Sequence, residues 1–384
     1  MVADCKSIII YGVTLLISLV LCFIANKKDT SDIKVRIIWA IIIAMPLSIL
    51  AGIRYGVGTD FFNYYDKFDE ISKYSIWECI IHSNNWIRVE PLFAVISRIL
   101  MYLKFDYNVI LGVMELIMLT MFALTFLEKK REQNIVFSFF LMYLMTYHYS
   151  LNILRQCLAL SFVVYGVGKL IDGKRKQFVL LVFIALGFHT IALVSLVFLI
   201  IPSLLQIQGK NLAINFKNLH LEYSFKFFVL LMLVLPMFMP HITRLFLRIS
   251  FLQKYSHYFN HTSYLIFGNY VSILILLVPF IYLYKKNNYN RSILFQIERF
   301  TQLILFYIPL SSIGHGEGIG GRMQKVAEIV LVLAVPQVCE MEKNKKTKMI
   351  IYLYYLLLFS IEFSRQFLIG TTGETFPFNT IWSK

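Results

Sequence analysis

Apolar residues occur along this chain in long blocks, and short basic stretches separate the blocks. A helix needs roughly 20 residues to cross the hydrocarbon core of a bilayer. On that measure the blocks predict spans at 7–25, 36–53, 108–127, 134–150, 154–171, 177–188, 190–205, 225–240, 265–284, 293–313, 324–340 and 349–369. The pattern predicts an all-α polytopic membrane protein of about 12 transmembrane helices. The basic connectors are Lys27, Lys28, Lys34 and Arg36, then Lys129–Arg131, Lys174–Lys176, Lys210 with Lys217, Lys285 and Lys286 with Arg291, and 343–348. The positive-inside rule places these in the cytoplasm. The alternate connectors then face outward: 54–107, 148–155, the turn around His189, 241–264, 314–323 and the C-terminus.

Two segments need separate treatment. Pro91–Leu103 is apolar but short, and if it crossed, the alternation of sides would fail downstream. It reads as a re-entrant or interfacial helix within a long outer loop. Residues 177–205 read as two passes turning at Gly187-Phe188-His189 rather than as one long helix, because two passes keep the charge pattern.

Composition strengthens the membrane reading. The 384 residues are 58% hydrophobic and 15% charged, with a mean hydropathy of +0.67. A soluble domain cannot hide that much apolar surface. Apolar blocks recur throughout, so residues 1–384 read as a single integral membrane domain. The first block lacks a small-x-small cleavage site and reads as a retained span. The formal net charge of +15 sits between apolar blocks, so it signals topology and lipid headgroups rather than nucleic acid. Five cysteines form no C-x-x-C pair, which argues against a zinc site or disulfide framework. No dinucleotide or P-loop motif appears, and the short cytoplasmic connectors leave no room for a nucleotide-sugar domain. No cofactor or metal is expected.

The chemistry concentrates in Arg54-Tyr-Gly-Val-Gly-Thr-Asp60-Phe-Phe-Asn-Tyr64-Tyr65, directly after an apolar span. A cation, two glycines, a carboxylate and paired tyrosines suit the grip of an anionic sugar-lipid at a membrane surface. Gly56 and Gly58 let backbone approach a ligand closely, and Tyr64 and Tyr65 suit stacking on sugar rings. Ionisable groups at membrane depth are costly and therefore suspected of function. Glu90 opens the short apolar helix, where it also suits a dipole partner. Arg155, followed by Gln156, starts a span at its outer end, where a planar guanidinium suits phosphate. His189 lies at an outer turn, and Arg322 closes a glycine-rich outer loop. His257 with His261, and His315 with Glu317, read as solvated loop residues. The charge map puts Arg54, Arg155, Arg322 and Asp60 on one side of the membrane. Three guanidiniums can hold a diphosphate and stabilise its charge as it leaves. Asp60, His189 or Glu90 can take a proton from an attacking sugar hydroxyl.

At these residues the chain resembles the EpsG family of polysaccharide polymerases, related in role to the Wzy O-antigen polymerases. The resemblance rests on the Arg54–Asp60 segment with Tyr64-Tyr65, Glu90-Pro-Leu-Phe, Leu154-Arg-Gln-Cys-Leu-Ala159 and Phe188-His-Thr-Ile-Ala-Leu193. Gly321-Arg322 and Pro377-Phe-Asn-Thr-Ile381 match more weakly, and Met323-Gln-Lys325 departs from the aromatic residues usual after that arginine. The resemblance implies a GT-C-like, multi-pass glycosyltransferase of the bacterial inner (plasma) membrane. Its partners would be undecaprenyl-diphosphate-linked oligosaccharides and membrane lipids, with a chain-length regulator and a flippase nearby. It would join repeat units on the periplasmic face during O-antigen, capsule or exopolysaccharide synthesis. Two alternatives compete. A ligase would place its large external loop late in the chain, whereas here it lies at 54–107. A flippase or transporter of lipid-linked sugars would place polar groups near the midplane and show repeated halves.

Overall fold

The computed structural model describes residues 4–81, 89–201, 214–216, 219–221, 225–246, 248, 267–286, 290–313, 319–370 and 372–383. Among the described residues, ten α-helices come first: α1 (Cys5–Asn26), α2 (Ile33–Ile53), α3 (Phe61–Ser72), α4 (Ile76–Ile81), α5 (Pro91–Tyr102), α6 (Tyr107–Glu128), α7 (Ile135–Met142), α8 (His148–Ser150), α9 (Leu154–Ile171) and α10 (Arg175–Leu186). His257, His261, His315 and Glu317 lie outside the described residues.

Why α1 belongs in lipid is visible in its two faces. Asp4 caps it, accepting from the Ser7 N–H at 3.3 Å, which satisfies one of the free donors of the first turn. Its buried face carries Ser7, Tyr11, Leu15, Ser18, Cys22 and Ala25. Its exposed face carries Ile9, Val13, Leu16, Val20 and Phe23. Water would reverse that distribution. In lipid, small and polar residues make the helix contacts while large apolar ones face the acyl chains.

Helix α2 uses the same logic more strictly. Ala40, Ala44, Ser48 and Gly52 recur every four residues, which places them on one stripe. That stripe admits α6. A Cβ on Gly112 would lie 3.0 Å from the Gly52 Cα and 3.3 Å from the Ser48 carbonyl. On α6, Asn108, Gly112 and Glu115 share one face by the same spacing.

Among the described residues, eight helices are long and apolar enough to cross a membrane: Cys5–Asn26, Ile33–Ile53, Tyr107–Glu128, Leu154–Ile171, Phe225–Leu245, Phe267–Lys286, Arg291–Ser312 and Lys345–Ile369. The other four predicted spans take shorter or broken forms. The 134–150 block becomes α7, a π turn at Tyr143–Tyr147, and α8. The 177–205 block breaks at 187–189, between α10 and a 3₁₀ segment, Thr190–Ile200. The 324–340 block divides into Ile319–Glu328 and Leu331–Met341. The segment at 91–103 forms the 12-residue α5, about 18 Å long and too short to cross. The all-α expectation also misses a small antiparallel hairpin, β1 (Ile214–Phe216) and β2 (Leu219–Leu221), with Asn215 opposite His220. Three residues per strand are too few for hydropathy averaged over a span to reveal.

The described contacts group the chain into two compact units. One comprises Met1–Gly168, Lys176–Leu193 and Val335–Lys384; the other comprises Lys169–Arg175 and Val194–Ala334. In the second, Phe306 packs against Phe228 and Phe198, at 5.6 and 5.8 Å between ring centres. The Tyr284 hydroxyl there donates to Glu298 at 3.1 Å.

The first unit gathers its helix ends into two groups. Basic connectors meet in one: Lys130 Nζ donates to the Lys28 carbonyl at 2.6 Å, Arg36 pairs with Glu128 at 3.3 Å, and Gln337 donates to Gln133 at 3.4 Å. The other group holds the Arg54 loop, residues 148–155, the 187–190 turn and the C-terminal segment.

Candidate functional site

Helix α2 stops where its backbone finds better partners. The Asn108 amide donates to the Gly52 and Arg54 carbonyls at 3.0 and 2.6 Å, filling acceptors that a helix end leaves free. Arg54 then pairs with Thr380 in an isolated antiparallel bridge. Three further backbone bonds fasten the loop to the C-terminal segment: Tyr55 N–H to Asn379 O at 2.9 Å, Gly58 N–H to Glu374 O at 3.1 Å and Thr59 N–H to Gly373 O at 3.2 Å. The Asn152 side-chain oxygen accepts from both the backbone N–H and the hydroxyl of Thr59, at 2.6 and 2.9 Å.

The two glycines serve this closure. Gly56 and Gly58 hold φ of +63° and +95°, a region that side chains with a Cβ rarely enter. A Cβ on Gly58 would stand 2.5 Å from the Leu151 carbonyl oxygen, whereas one on Gly56 would meet nothing closer than 3.6 Å. The close approach expected toward a ligand is made to the chain's own backbone at Gly58. Gly58→Ala is therefore expected to cost about 1–3 kcal/mol in strain alone, with overlap added, and Gly56→Ala about 1–2 kcal/mol. Thermal unfolding of the detergent-solubilised protein checks this, and equal shifts for the two variants would contradict it.

The loop buries Arg54 almost completely, at 1% exposure. Its guanidinium lies 5.8 Å from the centre of the Phe61 ring. Among the described residues, all three guanidinium nitrogens lack a hydrogen-bond partner. Glu115, Tyr147, Tyr11 and Tyr64 act on it electrostatically. Glu115 is equally buried; its Oε1 accepts from the Ser150 hydroxyl at 2.5 Å, and its Oε2 has no partner. Buried polar groups are nearly always bonded, and an uncompensated buried charge is strongly destabilising. Four unpaired polar atoms in one buried cluster therefore point to a polar occupant.

Arg155 is the second candidate diphosphate-binding cation in this unit. Its Nη1 meets Glu90 Oε2 at 2.6 Å, and the other Glu90 oxygen accepts from the Thr190 N–H at 3.3 Å. The Gly187 carbonyl accepts from the Leu92 and Phe93 N–H groups at 2.8 and 3.2 Å. Glu90 thus ties α5, Arg155 and the 187–190 turn together. His189 Nδ1 accepts from the Ile191 N–H at 3.1 Å, so the neutral ring carries its proton on Nε2.

Tyr64 links the two cations. Its hydroxyl oxygen accepts from the Arg155 backbone N–H at 3.4 Å, and its ring centre lies 6.1 Å from that of Phe93. Burial pushes this phenol up to about 12, against the opposing pull of Arg155. The ring, 6% exposed, forms a wall rather than the open sugar platform expected of it. Tyr65 is half-buried and donates to the Asn108 side chain. Asp60 is half-exposed at the start of α3, where Oδ1 accepts from Asn63 at 3.1 Å. Gln156 is buried. Arg322 is exposed on the helix Ile319–Glu328 and belongs to the second unit.

The structure adds residues that the sequence reading passes over. Glu115 is one, and a lone carboxylate inside an apolar span is the signal that marks it. His148 is another: Nδ1 lies 3.0 Å from the Thr375 hydroxyl, Nε2 lies 3.1 Å from Tyr143 Oη, and the ring stacks on Phe376 at 5.2 Å. It is a satisfied core histidine that moors the C-terminal segment.

A family model described as the EpsG family matches residues 37–380. The match takes in every site residue named above except Tyr11. No curated protein and no solved structure matches the chain.

Proposed function

Because the chain belongs to the EpsG family, the family of Wzy-like polysaccharide polymerases, we propose that it joins oligosaccharide repeat units carried on undecaprenyl diphosphate. The observation that carries this reading is the buried Arg54 guanidinium with every nitrogen unbonded, in one unit with Arg155. A diphosphate offers the acceptors that these donors lack, and charge-assisted bonds to it are strong.

In the proposed reaction an acceptor hydroxyl oxygen attacks the anomeric carbon of the donor chain. The bond from that carbon to the phosphate oxygen breaks, and undecaprenyl diphosphate leaves with the electron pair. Arginine donors stabilise the charge on the leaving oxygens. The hydroxyl proton passes to a base, which we assign to Asp60. Its carboxylate is half-exposed beside the loop. His189 offers Nδ1 to a backbone N–H already, which favours the carboxylate. Tyr65 and Gln156 are proposed to contact sugar. The positive-inside rule turns the basic connector group to the cytoplasm and the Arg54 group outward. This multi-pass membrane protein is proposed to work at the outer face of the bacterial plasma membrane.

Arg155 supplies the test. One edge of its planar fork is held by Glu90 at 2.6 Å, which leaves other N–H groups for phosphate. A lysine would be drawn to Glu90 as a point charge and could not serve both. Arg155→Lys is expected to impair chain extension nearly as much as Arg155→Ala. Cells should accumulate single lipid-linked repeats while protein abundance stays normal. Full activity in the lysine variant would remove Arg155 from the reaction.

A further inference from the structure

The carboxylate of Glu115 has no part in the reaction as drawn above, yet it is buried to the same degree as Arg54. Its position follows from the face of α6 that also carries Asn108 and Gly112. Asn108 holds the Arg54 backbone carbonyl at 2.6 Å. Gly112 lets α6 come against α2, since a Cβ there would sit 3.0 Å from the Gly52 Cα. Glu115, one turn further along, is buried to 1% exposure and acts electrostatically on the Arg54 side chain. One helix face thus governs both the backbone and the charge of Arg54. Ser150, bonded to Oε1 at 2.5 Å, fixes the carboxylate. Oε2 is left without a partner.

We propose that Glu115 is the positioning residue for Arg54, a fixed counter-charge that holds the guanidinium oriented toward the diphosphate. The inference rests on the diphosphate reading of Arg54. A carboxylate buried near one side of a guanidinium makes the other side the place for an anionic oxygen. A guanidinium with five donors can meet both. Without that counter-charge the arginine would sit in an apolar wall with nothing to orient it, and its dipolar neighbours Tyr11 and Tyr147 carry no charge. The orphaned Oε2 is the atom best suited to receive a guanidinium N–H when the substrate closes the cluster.

The test uses the purified full-length protein in vesicles, with a lipid-diphosphate-linked oligosaccharide as the substrate. Glu115→Gln preserves shape and leaves an oxygen for Ser150, but removes the charge. We expect turnover to fall about 10–100-fold, the range for groups that orient a charged ligand without touching substrate, with KM changed less than turnover. Glu115→Asp should recover part of the loss. In an Arg54→Lys background, Glu115→Gln should add less than about 3-fold, since residues acting through one another are not additive. Wild-type turnover in Glu115→Gln, with Arg54→Lys still impaired, would overturn the positioning role and leave the diphosphate reading standing. A full additive loss in the double variant would show that Glu115 acts elsewhere. An active Arg54→Lys variant would instead remove the diphosphate reading itself. Glu115→Gln leaves the buried Arg54 charge without its counter-charge and is expected to lower stability, so turnover is compared only at temperatures where thermal unfolding shows each variant folded.

Discussion

Asp60→Asn is expected to bind lipid-linked repeats as the parent does and to polymerise them about 10²–10⁴-fold more slowly, the usual contribution of a positioned base. Asparagine keeps the size of the side chain and an oxygen for Asn63, so the first turn of α3 should persist. What it loses is the capacity to take a proton. Among the described residues the Asp60 side chain makes an exposed bond, accepting from Asn63 at Oδ1 at 3.1 Å, and not a buried one that would make it structural. His189→Ala is the companion variant. His189 already spends Nδ1 on the Ile191 N–H at 3.1 Å, so its removal should perturb the turn and cost far less in turnover. Single-turnover extension assays alongside binding measurements distinguish the two. Normal turnover in Asp60→Asn with collapse in His189→Ala would transfer the base to the histidine. Normal turnover in both would leave the half-exposed carboxylate without a catalytic role.

Arg54→Lys is expected to lower chain extension about 10²–10³-fold, as loss of a preorganised donor to developing charge does. The charge survives in lysine, but the planar fork does not. The protein should still reach the membrane, because Asn108 and Thr380 hold the loop through the backbone of residue 54 rather than its side chain. Arg54→Ala is the poorer probe. It would leave Glu115 buried without a counter-charge, at a cost of about 3–5 kcal/mol, and would mix stability with function. Chain length of the lipid-linked product, compared at equal protein abundance, is the measurement. A lysine variant making full-length polymer would show that position 54 needs charge alone.

What could be read from the sequence depended on how far each residue's partners lie along the chain. Arg54 and Asp60 stand out because a charge next to an apolar block is conspicuous without knowledge of its neighbours. The membrane class is equally local, since it is summed residue by residue. Gly58 is different. Its glycine requirement is visible, but the reason lies at Leu151 and Glu374, remote in sequence and adjacent in space. Only their coordinates turn a ligand-approach glycine into a packing glycine. Tyr64 and Tyr65 look alike as a pair of sugar-stacking rings, yet the helical turn of α3 buries one and leaves the other half-exposed. The irregular turns within the apolar blocks have a related reason. Hydropathy cannot register the π turn at Tyr143–Tyr147, which depends on backbone bonding, whereas the turn at 187–189 is legible from the charge pattern. Glu115 was within reach of sequence reasoning. A lone carboxylate averaged into a strongly apolar window nonetheless leaves little trace, and its partner Ser150 lies 35 residues away.

The reaction proposed for this protein is transfer of a growing saccharide from a lipid diphosphate to a lipid-linked acceptor. Purified protein in vesicles containing a single lipid-diphosphate-linked repeat provides the test. Lipid-linked products of two or more repeats are expected, with one molecule of undecaprenyl diphosphate released for each new glycosidic bond. Movement of the intact lipid-linked repeat across the bilayer, with no lengthening and no released diphosphate, would contradict it.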